Sequence, residues 1–184
     1  MDFNKHWNLE GRHAFLSPSQ YHWLNYSPEK LEERFFNSKA IERGTKLHEY
    51  AAMAISLGRK QPKTKDTVCM FVNDAIGYSM TPEQPLYYSD NCFGTADAIS
   101  FNKNLLRIHD LKTGSTPVSM LQLEVYAALF CLEYAKHPEK IGILLRIYQL
   151  NEKEELEPDP AEIQSIMNQI VEFDDLLNRF KETL

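Results

Sequence analysis

Gly94-Thr95-Ala96-Asp97 and, past Phe101-Asn102-Lys103-Asn104-Leu105, Ile108-His109-Asp110-Leu111-Lys112-Thr113-Gly114 decide the fold of this 184-residue chain. Residues 93–101 and 105–111 are rich in apolar and β-branched side chains and flank Asn102-Lys103-Asn104, which reads as a tight hairpin. Folding about that turn gives a pairing sum near 206, so Asp97 pairs with about position 109, beside Asp110. Asp110 and Lys112 are two apart and share a face of their strand. Two carboxylates and one ammonium therefore meet at one end of two paired strands. Burying two acids together is costly unless a cation sits between them, and carboxylate oxygens suit Mg2+ or Mn2+. A lysine beside such a cation can position or deprotonate water and offset phosphoryl charge, which phosphodiester hydrolysis needs. Asp-x-Lys alone occurs often by chance and then describes an exposed ion pair on an edge strand. Asp97 at the matching height separates the two readings.

Working outward, Ser17-Pro18 and Ser27-Pro28 each look like an N-cap followed by proline, opening helices over 18–25 and 28–37. Residues 39–57 lack proline and carry an apolar stripe through Ile41, Leu47, Ala51, Ala54 and Ile55, with Gly58 as the cap. Gly44 interrupts this helix, which predicts close approach of another backbone. A basic loop, 59–65, precedes a helical stripe at Val68, Phe71, Val72, Ala75 and Ile76. After a turn at Thr81-Pro82 come strands over 86–88, 93–101 and 105–111. Residues 118–134 predict a helix, 141–150 a strand, 152–160 an acidic linker. A final amphipathic helix is carried by Ile163, Ile166, Ile170, Phe173, Leu176, Leu177 and Phe180. The expected architecture is α/β, a small mixed central sheet flanked by helices. It forms a single domain: an N-terminal helical segment (1–38), a catalytic core (39–150), and the acidic linker with the last helix (151–184).

The composition is globular, 43% hydrophobic and 11% aromatic, without a run long enough to span a bilayer. The first thirteen residues contain no apolar stretch of the kind an export signal needs. Cys69, Cys92 and Cys131 are odd in number and widely spaced, as expected of free thiols in a reducing cytosol. The net charge of −6 argues at first against nucleic acid, but it is unevenly distributed. Residues 1–66 carry +3 and residues 152–184 carry −7. A basic cleft at the acid pair and an acidic back are therefore expected.

Asp97 followed by Asp110-Leu111-Lys112-Thr113-Gly114 resembles the RecB-like, phage-type exonuclease branch of the PD-(D/E)XK (restriction-endonuclease-like) nuclease superfamily. Gly44-Thr45-Lys46-Leu47-His48 resembles its first motif, a helix presenting a histidine to the metal. Gln122-Leu123-Glu124-Val125-Tyr126 resembles its QxxxY motif, and Leu16-Ser17-Pro18-Ser19-Gln20 with Trp23-Leu24 resembles phage-encoded members. The likeness covers about residues 12–150, with the motifs in the expected order. It implies a PD-(D/E)XK core with His48, Asp97 and Asp110 as ligands of Mg2+ or Mn2+ and the Leu111 carbonyl as another. Lys112 would be the catalytic lysine, and Gln122 and Tyr126 would line the site and contact DNA or orient the scissile phosphate. Lys39, Arg43, Lys46 and Thr113 are candidate DNA contacts. The related nucleases of CRISPR adaptation hold an iron–sulfur cluster on four cysteines; the three here are too few and wrongly placed, so no cluster is expected. DNA is the implied partner, with a recombinase or other recombination protein and a second copy of the chain as candidate associates and no membrane. The implied location is cytoplasmic, a bacterial cytosol or an infected host.

Bland readings stand beside these. His48-Glu49 begins like HExxH but continues Tyr-Ala-Ala, so a zinc-protease motif fails. His109 points away from Asp110 and reads as structural, and Cys131 as core. Gln122 and Tyr126, four apart on one helix face, could be packing groups. Tyr21, Trp23, Tyr26, Phe35 and Phe36 alternate with Lys30, Arg34, Lys39, Arg43 and Lys46, a pattern that either stacks the bases of single-stranded DNA or packs helices. The leading expectation is a metal-dependent deoxyribonuclease, as an exonuclease in phage or mobile-element DNA recombination or processing. The competitors are a structure-selective or restriction-type endonuclease, a nuclease toxin, and a nuclease-fold DNA-binding subunit without turnover.

Overall fold

A computed structural model describes residues 14–183. The expected lack of an export signal in the first thirteen residues lies outside them. The chain divides into two compact units, one ending at Arg43 and one beginning at Gly44.

In the first unit, Pro18–Asn25 forms 3-10 turns kinked at Gln20, not the expected α-helix. Ser17 does not cap it through its side chain. Its hydroxyl pairs with Ser19 Oγ at 2.8 Å, and its carbonyl accepts from Trp23 Nε1 at 2.9 Å. Helix α1 spans Pro28–Ser56 without a break where two helices were expected. No proline or glycine stands at Asn37-Ser38 to stop it, and the Ser38 hydroxyl bonds back to the Phe35 carbonyl at 2.7 Å. Ser27 does cap, accepting from the Lys30 N–H at 3.3 Å.

The second unit is an α/β arrangement built on one five-stranded mixed sheet, ordered β1-β2-β3-β4-β5. Helix α2 (Thr67–Gly77) precedes β1 (Thr81–Ser89), β2 (Cys92–Asn102) and β3 (Leu105–Leu111). Helix α3 (Leu121–Glu133), β4 (Gly142–Gln149), β5 (Glu152–Leu156) and α4 (Pro160–Lys181) follow. Strands β3 and β4 are parallel and the other pairs antiparallel. Lys103 and Asn104 both take positive φ, 50° and 61°, as a two-residue primed turn requires. The observed pairs Ala98↔His109 and Asn102↔Leu105 set the register one residue beyond the expected value, so Asp97 stands level with Asp110 itself.

Strand β1 begins five residues before the expected 86 and contains Pro82 and Pro85. It tolerates them because it is an edge strand, where a missing N–H can face away from the ladder. The acidic stretch after residue 151 is also a correction: Glu152–Leu156 is a strand, not a linker. Its composition hides it, but Arg146 on β4 is 6% exposed and needs a carboxylate partner. Glu155 across the ladder supplies one through Nε at 2.7 Å and through Nη2. Asp74 of α2 supplies another at 3.0 Å.

Two apolar clusters fill the two faces. Leu86, Ala96, Ile99, Leu106 and Ile108 pack with Leu123, Ala127 and Cys131 of α3 and Ile163 of α4. Ala51, Ala54 and Ile55 of α1 pack with Phe71, Val72 and Ala75 of α2 and with Ala98, Leu111 and Tyr148. Ala96 and Ala98 are two apart yet belong to opposite clusters, so the period-2 alternation of β2 breaks at Asp97. The apolar stripe of α4 is buried only in its first half. Ile163 and Met167 are buried, whereas Phe173 and Phe180 are 52% and 59% exposed. No helix among the described residues is long and apolar enough to cross a membrane.

Candidate metal and catalytic site

Strands β2 and β3 stop exchanging ladder bonds at Ala98↔His109, and the Asp97 carboxylate takes over the next position. Its Oδ2 accepts the Leu111 N–H at 2.8 Å. The structure thus ties Leu111 to the site through its amide. The same oxygen lies 3.4 Å from His48 Nδ1 on the second half of α1. His48 is brought there because α1 approaches the chain after β3 closely: a Cβ on Gly44 would stand 2.8 Å from Thr113 Oγ1. The partner that requires glycine here is a side chain, not the backbone expected. Thr113, a candidate DNA contact, is used in this packing.

Asp110 is 3% exposed. Its Oδ1 accepts from Lys112 Nζ at 3.3 Å. Its Oδ2 lies 3.0 Å from the same nitrogen as an ion pair but without hydrogen-bond alignment, so this buried oxygen has no hydrogen bond. Lys112 Nζ also donates to Gln122 Oε1 at 3.0 Å, from the first turn of α3. Asp110, Lys112 and Gln122 are therefore one connected group. Tyr126, a turn further along α3, meets β2 at Gly94, three residues before Asp97, where a Cβ would lie 2.9 Å from its Cε1.

Electrostatics at the site are dominated by close acids. Burial pushes Asp110 up, Asp97 adds to the rise, and Lys112 opposes it. His48 is raised, first by its hydrogen bond to Asp97, against the cost of burial. Glu83 is raised by burial and then by the Asp97 charge.

Glu83 was missed by sequence reasoning. Among the described residues, the group whose ligand atoms lie within 4.8 Å of one another is His48, Glu83 and Asp97, and such a group could hold a metal ion. Asp110 is not part of it. Of the expected ligands, the structure gathers His48 with Asp97 and keeps Asp110 beside them, paired to Lys112. A signal for Glu83 existed: Asp90-Asn91 is turn-forming, and folding a hairpin there places residue 83 near residue 97.

On the opposite side of the sheet, His109 is fully buried, with Nδ1 3.3 Å from the Tyr148 hydroxyl. Tyr148 donates to Asp74 Oδ2 at 2.7 Å. Burial and the Arg146 charge push the His109 imidazole down to about 3, so it stays neutral and structural. Cys131 is core, and its thiol is pushed up to about 11 by burial.

Lys39 and Arg43 belong to the first unit, and Lys39 pairs with Glu42 at 3.0 Å. Lys46 lies in the second unit, two residues before His48. In the first unit Phe15 meets Phe35 edge-on at 5.6 Å and Phe35 meets Phe36 at 5.9 Å, with Lys39 over Phe35 and Lys30 over Tyr26, whereas Tyr21 and Phe36 are 59% and 61% exposed. Comparison with protein-family models, curated proteins and solved structures finds no match to this chain.

Proposed function

We propose that this chain is a metal-dependent deoxyribonuclease of the PD-(D/E)XK type, acting as an exonuclease in phage or mobile-element DNA processing. The observation that supports it most is Lys112, whose ammonium bridges the buried Asp110 carboxylate and Gln122 within 3.3 Å, at the end of the strand that faces Asp97. An ammonium held on two sides has one arm left for a third partner.

The residues fit a divalent cation. Asp110 Oδ2 is buried without a hydrogen bond, and adjacent carboxylates favour a hard, oxygen-seeking ion. Asp97, Asp110, the Leu111 carbonyl and His48 would hold Mg2+ or Mn2+. Bound there, the ion supplies positive charge to the phosphoryl oxygens and acidifies water. Lys112 donates to the attacking water or to a non-bridging oxygen and stabilises the charge that develops there. Gln122 fixes the Lys112 side chain, and His48 fixes the Asp97 carboxylate. The water oxygen bonds phosphorus and the P–O3′ bond breaks. One water proton ends on O3′ and the other leaves the phosphate for solvent, giving a 5′-phosphate and a 3′-hydroxyl.

The test uses labelled linear and covalently closed DNA with Mn2+ or EDTA. Linear DNA should shorten from its ends with Mn2+ and persist in EDTA. Lys112→Ala and Asp110→Ala should each lose roughly 10²–10⁴-fold in rate. Digestion at wild-type rate by both variants would refute the site. Cutting of closed circles would replace the exonuclease by an endonuclease, and binding of DNA without cutting would favour a non-catalytic subunit.

A further inference from the structure

Two arginines share one tyrosine ring on the α2 side of the sheet. The Arg146 guanidinium lies 5.5 Å from the centre of the Tyr78 ring and the Arg107 guanidinium 4.6 Å. Arg146 is served by protein acceptors: Glu155, Asp74 and the Tyr148 hydroxyl each take a hydrogen bond from it. Arg107, on β3, has no carboxylate partner among the described residues, and its Nε is shut from solvent without a hydrogen bond. Ser100, its cross-strand pair on β2, likewise has a buried hydroxyl oxygen without a partner. A partly buried guanidinium is costly without an anion, so the protein leaves one cation here uncompensated.

Beyond that buried edge, Arg107 lines an open pocket of about 320 Å3 together with Tyr78, Ser79, Asn102 and Lys103. That is far more than the ~30 Å3 share of one water. The lining carries a second cation, hydroxyls and an amide, and no carboxylate. The chain as a whole has a net charge of −6, so two cations without an acid are not a sample of its average surface. The planar guanidinium fork fits carboxylate or phosphate with two parallel bonds. The additional ammonium favours phosphate, which carries more oxygens and can carry more charge than a carboxylate. The pocket is separate from the acid site. Arg107 precedes Asp110 by three residues, about 10 Å along β3, and points to the other face.

We propose that Arg107, Lys103 and Tyr78 form a binding pocket for a phosphate group, with Ser79 and Asn102 as further donors. Arg107 grips the phosphate oxygens with its guanidinium, Tyr78 fixes the guanidinium plane by stacking, and Lys103 adds a second positive charge from the β2–β3 turn. The same oxygens are presented by a free phosphate or phosphate monoester and by a DNA backbone. The pocket goes beyond the nuclease reading and does not depend on it.

The experiment is a titration of the 15N-labelled full chain in EDTA, followed through the backbone amide signals of Tyr78, Ser79, Lys103 and Arg107. The probes are inorganic phosphate, a hydroxyl-ended oligothymidylate whose phosphates are all diesters, and acetate, at constant ionic strength. The four signals should move together and saturate. A response to the oligothymidylate assigns the pocket to a DNA backbone, and a response to inorganic phosphate alone assigns it to free phosphate or its monoesters. Arg107→Gln should weaken binding roughly 10- to 100-fold. Arg107→Lys, which keeps the charge but not the fork, should weaken it less. Lys103→Asn, which suits the positive φ of the turn, should weaken it roughly 2- to 5-fold. Circular dichroism establishes that each variant is folded, and the exposed Lys103 carries the test if Arg107→Gln is not. Signals that ignore both phosphate probes would overturn the proposal, as would acetate binding as tightly as phosphate. Wild-type affinity in Arg107→Gln and Lys103→Asn would overturn it too. Every arm runs without metal, so the result stands whether or not the chain cuts DNA.

Discussion

Replacing Gly94 by alanine would place a Cβ 2.9 Å from Tyr126 Cε1, with the hydroxyl at 3.4 Å. Real Cβ contacts are not that short, so the ring or the strand must move. Overpacking of this kind costs about 1–3 kcal/mol. Against it, alanine removes backbone freedom from the unfolded chain, a gain of about 0.4–1 kcal/mol. Gly94→Ala should therefore destabilise by about 1–2 kcal/mol, and for a chain of this size that lowers Tm by roughly 2–8 °C. With Tyr126→Ala already present the obstacle is gone and only the unfolded-state gain remains. Gly94→Ala should then be neutral or stabilising by about 0.4–1 kcal/mol. The change of sign, a coupling of about 1–3 kcal/mol, is read from urea midpoints of the four proteins in a double-mutant cycle. An additive cycle, or a Gly94→Ala variant as stable as wild type, would show that Tyr126 does not rest on Gly94. The nuclease assay gives the functional arm: if the glycine is needed to seat Tyr126, Gly94→Ala and Tyr126→Ala should reduce cutting by similar factors and not multiply.

Asp110→Asn should raise stability at neutral pH in metal-free buffer while abolishing cutting. Asp110 has a raised folded pKa, so its stabilising contribution is complete below the unfolded value near 3.8 and is lost as pH rises through the folded value. The melting difference should accordingly shrink toward acid pH, and equal melting at pH 7 would contradict it. Adding Mn2+ to EDTA-treated protein at 100 times its Kd should stabilise by about 2.7 kcal/mol, roughly 5–10 °C. Asp97→Asn should lose most of this shift, and an undiminished shift would place the ion elsewhere. Arg146→Ala should cost toward the lower end of about 3–5 kcal/mol, since Asp74 and Glu155 lose their buried partner but still reach solvent. A loss under 1 kcal/mol by calorimetry would show that β5 is held by its ladder bonds instead.

The part of the fold legible in the sequence is the part whose information is local. Strand β3 runs over Leu105–Leu111, as read from its apolar run and the Asn-Lys-Asn turn, and α2 follows from its stripe. The approach of Asp97 to Asp110 and Lys112 follows from the same hairpin arithmetic. Strand β5 was not legible, because Glu-Lys-Glu-Glu has little strand preference and is held by the buried Arg146 on its neighbour. The break of alternation at Asp97 was not legible either, because it depends on a carboxylate replacing a ladder bond to Leu111.

By itself, then, the sequence determined a hairpin carrying Asp97, Asp110 and Lys112, because strand period and turn chemistry act over a few residues. Only the tertiary structure decided who surrounds them. His48 arrives along α1, Gln122 along α3, and Glu83 from an edge strand whose Thr81-Pro82 start reads in sequence as a turn. Those meetings depend on which strands are neighbours and on how closely the Thr113 and Tyr126 side chains approach Gly44 and Gly94, distances set by packing and not by spacing along the chain.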